Sequence, residues 1–275
     1  MYLDLDDKKL VICLLAKDCR INLERNIPEI ENLTKSFKET NIVIVENDST
    51  DGTCELIDSW INNSAAQITK IKPSEDLTNL SRIERMVVLR NEYIKYCKQN
   101  INDCDYAIVI DADLYQINHR QILEQIMYAP EDWSALFSYG QFFYPLFGKT
   151  INIRYYDLFA YIPHGSTDNR FTTKELFSNY HLLRKLIKQK NFVECNSGFG
   201  GIGIYKYKAF VDSNYSTIDN PKRPDLPFIC EHVLFNQNIS KYGNLYICKN
   251  LKPLYEPVKS CRKILYMIYY FLRFR

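Results

Sequence analysis

The stretch Tyr106–Leu114, YAIVIDADL, sets the tightest limit on what this chain can fold into. Every position from Tyr106 to Ile110 is apolar or aromatic, so the run has no polar face to offer water. A short run of this kind reads as a strand covered on both faces, and such strands belong to sheets with helices on either side. The pattern stops at Asp111-Ala112-Asp113. In open α/β sheets, ligands bind at the carboxyl ends of the strands. Two hard oxygen donors held there by a rigid strand suit Mg²⁺ or Mn²⁺, which takes a few carboxylates together with substrate phosphates. Standing alone, D-x-D equally describes a surface turn in which Asp113 caps the next segment.

Leu10–Ala16 (LVICLLA) is a second buried run, ending at Lys17-Asp18-Cys19-Arg20. Ile21, Leu23, Ile27, Ile30, Leu33 and Phe37 then recur at helical spacing, with Pro28 expected in the first turn, where its missing N–H costs little. Asn41–Val45 (NIVIV) is a third run, and after the polar loop Glu46–Thr53 a helical face resumes at Leu56, Ile57 and Trp60. An opening of β-α-β-α predicts a parallel sheet. Further along, the patterns predict a short strand over Ile68–Lys72, a helix over Leu80–Tyr96 and a short helix over Gln121–Met127. A strand over Trp133–Tyr139 closes at Gly140, and a basic amphipathic helix covers Ser178–Gln189. With 275 residues and no clear linker or repeat, the expectation is a single α/β domain, a mainly parallel sheet flanked by helices.

Composition excludes some function classes. A net charge of +2 gives no reason to expect a nucleic-acid partner. Nine cysteines, an odd number without a C-x-x-C pair, suit structural thiols in a reducing compartment. The polar start MYLDLDDKKL has no signal-peptide core, so the expected setting is cytoplasmic. The segment 259–275 has five basic residues, no acids and many aromatics. It is too short and too charged to span a bilayer, and reads either as an interfacial helix in peripheral contact with a membrane or as a helix docked on the sheet.

Several other positions carry potential chemistry. Glu46–Thr53 either grips a ribose or base edge, or supplies Ser49 and Asp51 as caps for the next helix. On the helix over 80–96, Arg82 reads as solvated, whereas Arg85 and Arg90 are candidates for a phosphate or carboxylate. Four of the nine glycines fall within Asn196–Tyr205, NSGFGGIGIY. That decamer lacks the G-K-[ST] ending of a P-loop and reads either as a tight loop under a sugar ring or as a bulged hairpin. Aromatic clusters in 141–192 either stack on sugar faces or pack the core. The prolines of 213–228 suit a wall or lid. Glu231-His232 precedes an apolar helical turn. It offers a base, nucleophile or hydroxyl binder beside a third metal ligand, or else an acid placed against a helix dipole.

Taken in order, VENDSTDGT, RIERMVVLRNEYI, AIVIDADL, YYDLFA, CNSGFGGIGIY and CEHVLFN resemble the cryptococcal capsule α-1,3-mannosyltransferase family, over about residues 10–240. The resemblance implies a GT-A-like, Rossmann-type domain over 1–258, with a nucleotide-binding half (8–114) and a sugar and acceptor half (115–258). It implies a Mn²⁺- or Mg²⁺-dependent hexosyltransferase that acts with retention. The donor would be a nucleotide sugar, GDP-mannose favoured and a UDP-hexose open, and the acceptor a glycan or lipid-linked glycan. Asp111 and Asp113 would hold metal and diphosphate, with His232 as a further metal ligand. Glu231 and Asp113 would be catalytic. The donor would lie against Ala16, Lys17, Glu46, Asn47, Asp48, Arg85, Arg90, Asp111, Ala112, Asn196, Gly200 and Gly201. Two other functions remain open: a non-catalytic carbohydrate-binding protein, and a sugar nucleotidyltransferase. The second calls for a glycine-rich loop after the first strand, and Ala16–Arg20 contains none.

Overall fold

The computed structural model describes residues 5–146, 149–223 and 227–257, the side chains of 144–153 excepted. The basic segment 259–275, with its expected helix and membrane contact, lies outside the described residues. From the amino end the chain runs β1 (Lys9–Ala16), α1 (Arg20–Thr34), β2 (Glu39–Glu46), α2 (Thr53–Asn63), β3 (Gln67–Ile71), α3 (Arg82–Asn100) and β4 (Tyr106–Asp111). It continues through α4 (His119–Met127), β5 (Trp133–Ser138), β6 (Gln141–Leu146), β7 (Lys149–Tyr155) and β8 (Ile162–Pro163). Then come α5 (Thr173–Gln189), β9 (Phe192–Ser197), β10 (Ile202–Lys206), α6 (Tyr207–Val211), α7 (Glu231–Ile239), β11 (Asn244–Cys248) and β12 (Leu254–Pro257).

Among the described residues, nine strands form a central sheet in the order β3-β2-β1-β4-β10-β5-β11-β9-β8, and β12-β6-β7 form a small second sheet. The expected parallel arrangement holds across β3, β2, β1 and β4. Beyond β4 the sheet is mixed. β10 runs antiparallel to both β4 and β5, while β11 is parallel to β5 and antiparallel to β9. Parallel neighbours need a long crossover, usually a helix. β10 is instead entered from β9 through four residues, and it pairs antiparallel with the strands on both its sides.

Side chains alternate across the sheet with period two. Leu10, Ile12, Leu14, Ile42, Ile44, Ile108 and Ile110 point into one core layer with α1, α2 and α4. Val11, Cys13, Val43, Val45, Ala107 and Val109 point into the other, under α3, α5, α6 and α7. Burial of each large aliphatic side chain contributes about 1.5–3 kcal/mol, so both covers are needed. No helix among the described residues is long and apolar enough to cross a membrane.

Helix starts are set locally. Ser81 and Glu84 form a reciprocal capping box on α3, as do Thr172 and Glu175 on α5. Pro28 lies in the interior of α1 rather than in its first turn. The helix begins as early as Arg20 because the Asp51 carboxylate accepts the Arg20 N–H at 3.0 Å, satisfying a group that would otherwise be left open.

Candidate active site

β1, β2 and β4 end side by side, with Ala16 opposite Glu46 and Leu15 opposite Asp111. The polar residues that stop three apolar runs therefore gather at one edge of the sheet. They open into a cleft of about 520 Å³. Ala16, Lys17 and Asn47 line it from the first two strand ends, Asp111, Ala112 and Asp113 from β4, Arg90 from α3, and Glu231 and His232 from α7.

Glu46, Asp48, Arg85, Asn196, Gly200 and Gly201 are not among the lining residues. Glu46 is buried, and its carboxylate accepts the Ser49 N–H at 2.7 Å, closing the turn after β2. Asp48 is exposed, in the left-handed region (φ 49°). Lys17 Nζ donates to the Asn47 and Asp48 carbonyls at 2.8 and 3.4 Å, lashing the two strand-end loops together. Asp51 accepts from the Arg20 and Thr53 backbone N–H groups and so joins the starts of α1 and α2. Asn196 holds a turn near 165, donating to the Ser166 carbonyl at 2.9 Å. Arg82, Ile83, Met86, Leu89 and Arg90 make the cleft-facing stripe of α3, and Arg85 falls off its edge.

Arg90 is the buried hub. Its Nε donates to Glu231 Oε1 at 3.1 Å, one Nη to Asp111 Oδ1 at 3.3 Å and the other to Tyr93 OH at 3.3 Å. The expected carboxylate contact is therefore made with the protein's own acids. The other Asp111 oxygen accepts from Tyr255 OH at 3.0 Å. Burial raises the Asp111 pKa, and Arg90 offsets part of that rise. Glu231 is the first residue of α7 and is buried, with its carboxylate held against the Arg90 guanidinium. Beside it, His232 stacks on Phe199 with ring centroids 3.9 Å apart. Burial first, then Arg90, pushes its imidazole well below the ordinary histidine range. Neither ring nitrogen makes a hydrogen bond among the described residues, although Nε2 lies 3.7 Å from Glu231 Oε1.

The donor set suits a divalent cation that is completed by substrate phosphates. Asp113 opens onto the cleft mouth and makes no side-chain hydrogen bond among the described residues. Its carboxyl is nonetheless pushed up to about 7, by lost hydration among the cleft walls first and by the Asp111 charge second. A dication would relieve both terms. Among the described residues no three His, Cys, Asp or Glu side chains converge as a metal site. His232 is thus not gathered with the two aspartates, because the Arg90 guanidinium lies between α7 and β4. The set that fits is Asp111 and Asp113.

The glycine run is no hairpin, since β5 and β11 lie between β9 and β10. Gly198-Phe199-Gly200-Gly201-Ile202-Gly203 spells G-x-G-x-x-G but opens a strand rather than a helix, so it forms no dinucleotide cradle. It braces the acids from behind: the Gly201 carbonyl accepts the Asp111 N–H at 2.9 Å, and the Gly200 N–H donates to Asp157 at 3.1 Å. Gly200 has φ 68°, and a Cβ there would meet the Ser138 carbonyl oxygen at 2.2 Å. Gly200→Ala is expected to destabilise the fold by about 2–4 kcal/mol, combining left-handed strain with overpacking. Urea unfolding of the two proteins measures this loss directly.

Sequence reasoning missed Asp157, Tyr255, Arg82 and Arg154, all of which line the cleft. Asp157 stands in the YYDLFA segment, which carried the resemblance without a role. Its oxygens accept the Ala160 and Gly200 N–H groups, and burial pushes its carboxyl up to about 6. Because this value exceeds the ordinary aspartate value of 3.8, the folded state holds the proton more tightly than the unfolded chain. Asp157 therefore withdraws stability as pH rises from about 4 through 6. Asp157→Asn is expected to show a shallower decline of unfolding free energy across that window than the parent chain.

No protein-family model matches the chain, and no curated protein matches it. Solved structures do. One is the mannosyltransferase PcManGT from Pyrobaculum calidifontis in complex with GDP-Man and Mn²⁺, with a TM-score of 0.55 and 11% identity over 93% of this chain and 58% of that one. Another is S. aureus TarS 1-349 in complex with UDP-GlcNAc, with a TM-score of 0.50 and 13% identity over 94% of this chain and 60% of that one. The chain thus spans about three fifths of the length of either. At these identities the likeness shows the fold, which is the GT-A arrangement of the glycosyltransferases.

Proposed function

We propose that the chain is a glycosyltransferase that moves a hexose from a nucleotide sugar to a glycan or lipid-linked acceptor, with mannose as the favoured sugar and retention as the favoured course. One observation carries the reading: Asp111 and Asp113 stand at the end of β4 in a cleft that also holds the buried Glu231, within a GT-A fold. Breaking the anomeric C–O bond leaves charge on the departing phosphate. A dication held by the two aspartates, when bound, would neutralise that charge. The residues of the chain do the rest. Arg90 fixes Asp111 and Glu231 relative to one another, Glu231 faces the reacting sugar, and Phe199 and Tyr156 wall it off from water. Arg82 approaches the diphosphate from α3. The capsule α-1,3-mannosyltransferase resemblance supports GDP-mannose as donor, and the GDP-Man and Mn²⁺ bound to PcManGT agree with it.

The test is a donor screen of the full chain with GDP-mannose, UDP-glucose, UDP-galactose and UDP-N-acetylglucosamine, each with and without Mn²⁺. A donor present well above its Kd is expected to raise stability by about 2–4 kcal/mol and to be slowly hydrolysed, only when Mn²⁺ is present. Failure of every donor to bind would overturn the reading. Binding without turnover would leave a carbohydrate-binding protein in its place.

A further inference from the structure

Arg82, Arg90, Arg154 and Arg223 all line the cleft, and two of these arginines stand in opposite circumstances. Arg90 is saturated by Asp111, Glu231 and Tyr93. Arg154, on β7, has a side chain with no hydrogen bond or ion pair among the described residues. Its Nε is fully buried without a partner. Its guanidinium carbon lies 5.5 Å from the centre of the Phe142 ring, and both residues line the cleft. Burial draws its pKa down, and among the described residues the Tyr180 phenol acts against that while no carboxylate does. An arginine does not deprotonate at neutral pH, so the charge stays. A desolvated cation facing a ligand cleft without a counter-charge is half of an ion pair.

Building on the transferase reading, we propose that Arg154 binds an anionic group of the acceptor, a phosphate or a carboxylate, so that the acceptor is a charged sugar rather than a neutral one. The planar fork of a guanidinium matches either group with two parallel hydrogen bonds. The charge layout of the cleft agrees. Asp111, Asp113, Asp157 and Glu231 lie close enough to act on one another and so repel a further anion, whereas none of these acids acts on Arg154 among the described residues. Phe159 and Phe177 line the same cleft and exclude water from such a contact, which strengthens it.

Calorimetric titration of the full chain tests this with three probes: mannose 6-phosphate, glucuronate and neutral mannose, each with and without GDP and Mn²⁺. At least one anionic sugar is expected to bind tenfold or more tightly than mannose. Arg154→Gln is expected to erase that margin and Arg154→Lys to keep part of it, with the affinity for GDP and Mn²⁺ unchanged in both. Equal binding of all three sugars to the parent chain would overturn the proposal, and that comparison needs no variant. An undiminished margin in a folded Arg154→Gln protein would overturn it as well. Loss of GDP binding in the parent chain would count against the transferase reading alone, because the sugar titrations without nucleotide still report on Arg154.

Discussion

Asp113→Ala is expected to lower sugar transfer by about 10³-fold or more while leaving the melting temperature of the metal-free protein unchanged or raised. The two halves of this expectation have separate causes. The Asp113 side chain makes no hydrogen bond among the described residues and opens onto the cleft, so truncating it removes no packing. Its carboxylate is crowded by Asp111, so its loss also removes a repulsion. What disappears, on the transferase reading, is one of the two carboxylates that would hold the dication against the leaving group. Asp111→Ala is the instructive contrast. It deletes the acceptor of both Arg90 and Tyr255, so it is expected to cost activity and stability together. Initial rates with the donor found by screening, read beside thermal melts, separate the two variants. Transfer by Asp113→Ala within tenfold of the parent would remove the D-x-D from the mechanism.

Arg90→Met is expected to destabilise the fold by roughly 3–5 kcal/mol at neutral pH, since it strands the buried Glu231 and the partly buried Asp111, which had shared one cation. The loss should shrink as the pH is lowered, because protonating a stranded carboxyl removes its unpaired charge. Adding Glu231→Gln to Arg90→Met is expected to recover part of the loss. Urea unfolding of the parent, both single variants and the double variant measures that coupling as a cycle. Additive single effects would mean that the 3.1 Å contact contributes nothing to the fold.

Much of this architecture was legible from local pattern. Strand runs such as LVICLLA and YAIVIDADL announce themselves because every side chain is apolar, and their abrupt polar ends mark the sheet edge where the cleft forms. Asp111, Asp113, Glu231 and Arg90, singled out by residue type at an element's end or on its face, all line the cleft. The misses share a different cause. Tyr255 reaches Asp111 from a strand 144 residues away, and no local spacing encodes that meeting. Arg154 and Asp157 belong to a stretch whose aromatic residues mask its periodicity. Arg82 reads as solvated because most helix arginines are; it is exposed, and the docking of α3 over the strand ends also sets it among the residues lining the cleft. Glu46 and Asn196, polar residues at loops that look like ligand contacts, lie outside the cleft lining and bond to the chain's own backbone.

The insertion of β10 between β4 and β5 also bears on how the molecule is made. Translation delivers β1, β2, β3 and β4 first, and these four can pair as soon as residue 111 has left the ribosome. Their outer edge along β4 is Ala107-Ile108-Val109-Ile110, apolar and rich in β-branched residues, and its backbone partners are residues 202–206. For about ninety residues of further synthesis that edge stands open, a template for pairing with any other unfinished chain. A fragment ending near residue 114 would keep it open for good. Attempts to express the first half by itself therefore call for a chaperone or a charged substitution on β4, where the complete chain supplies its own cover.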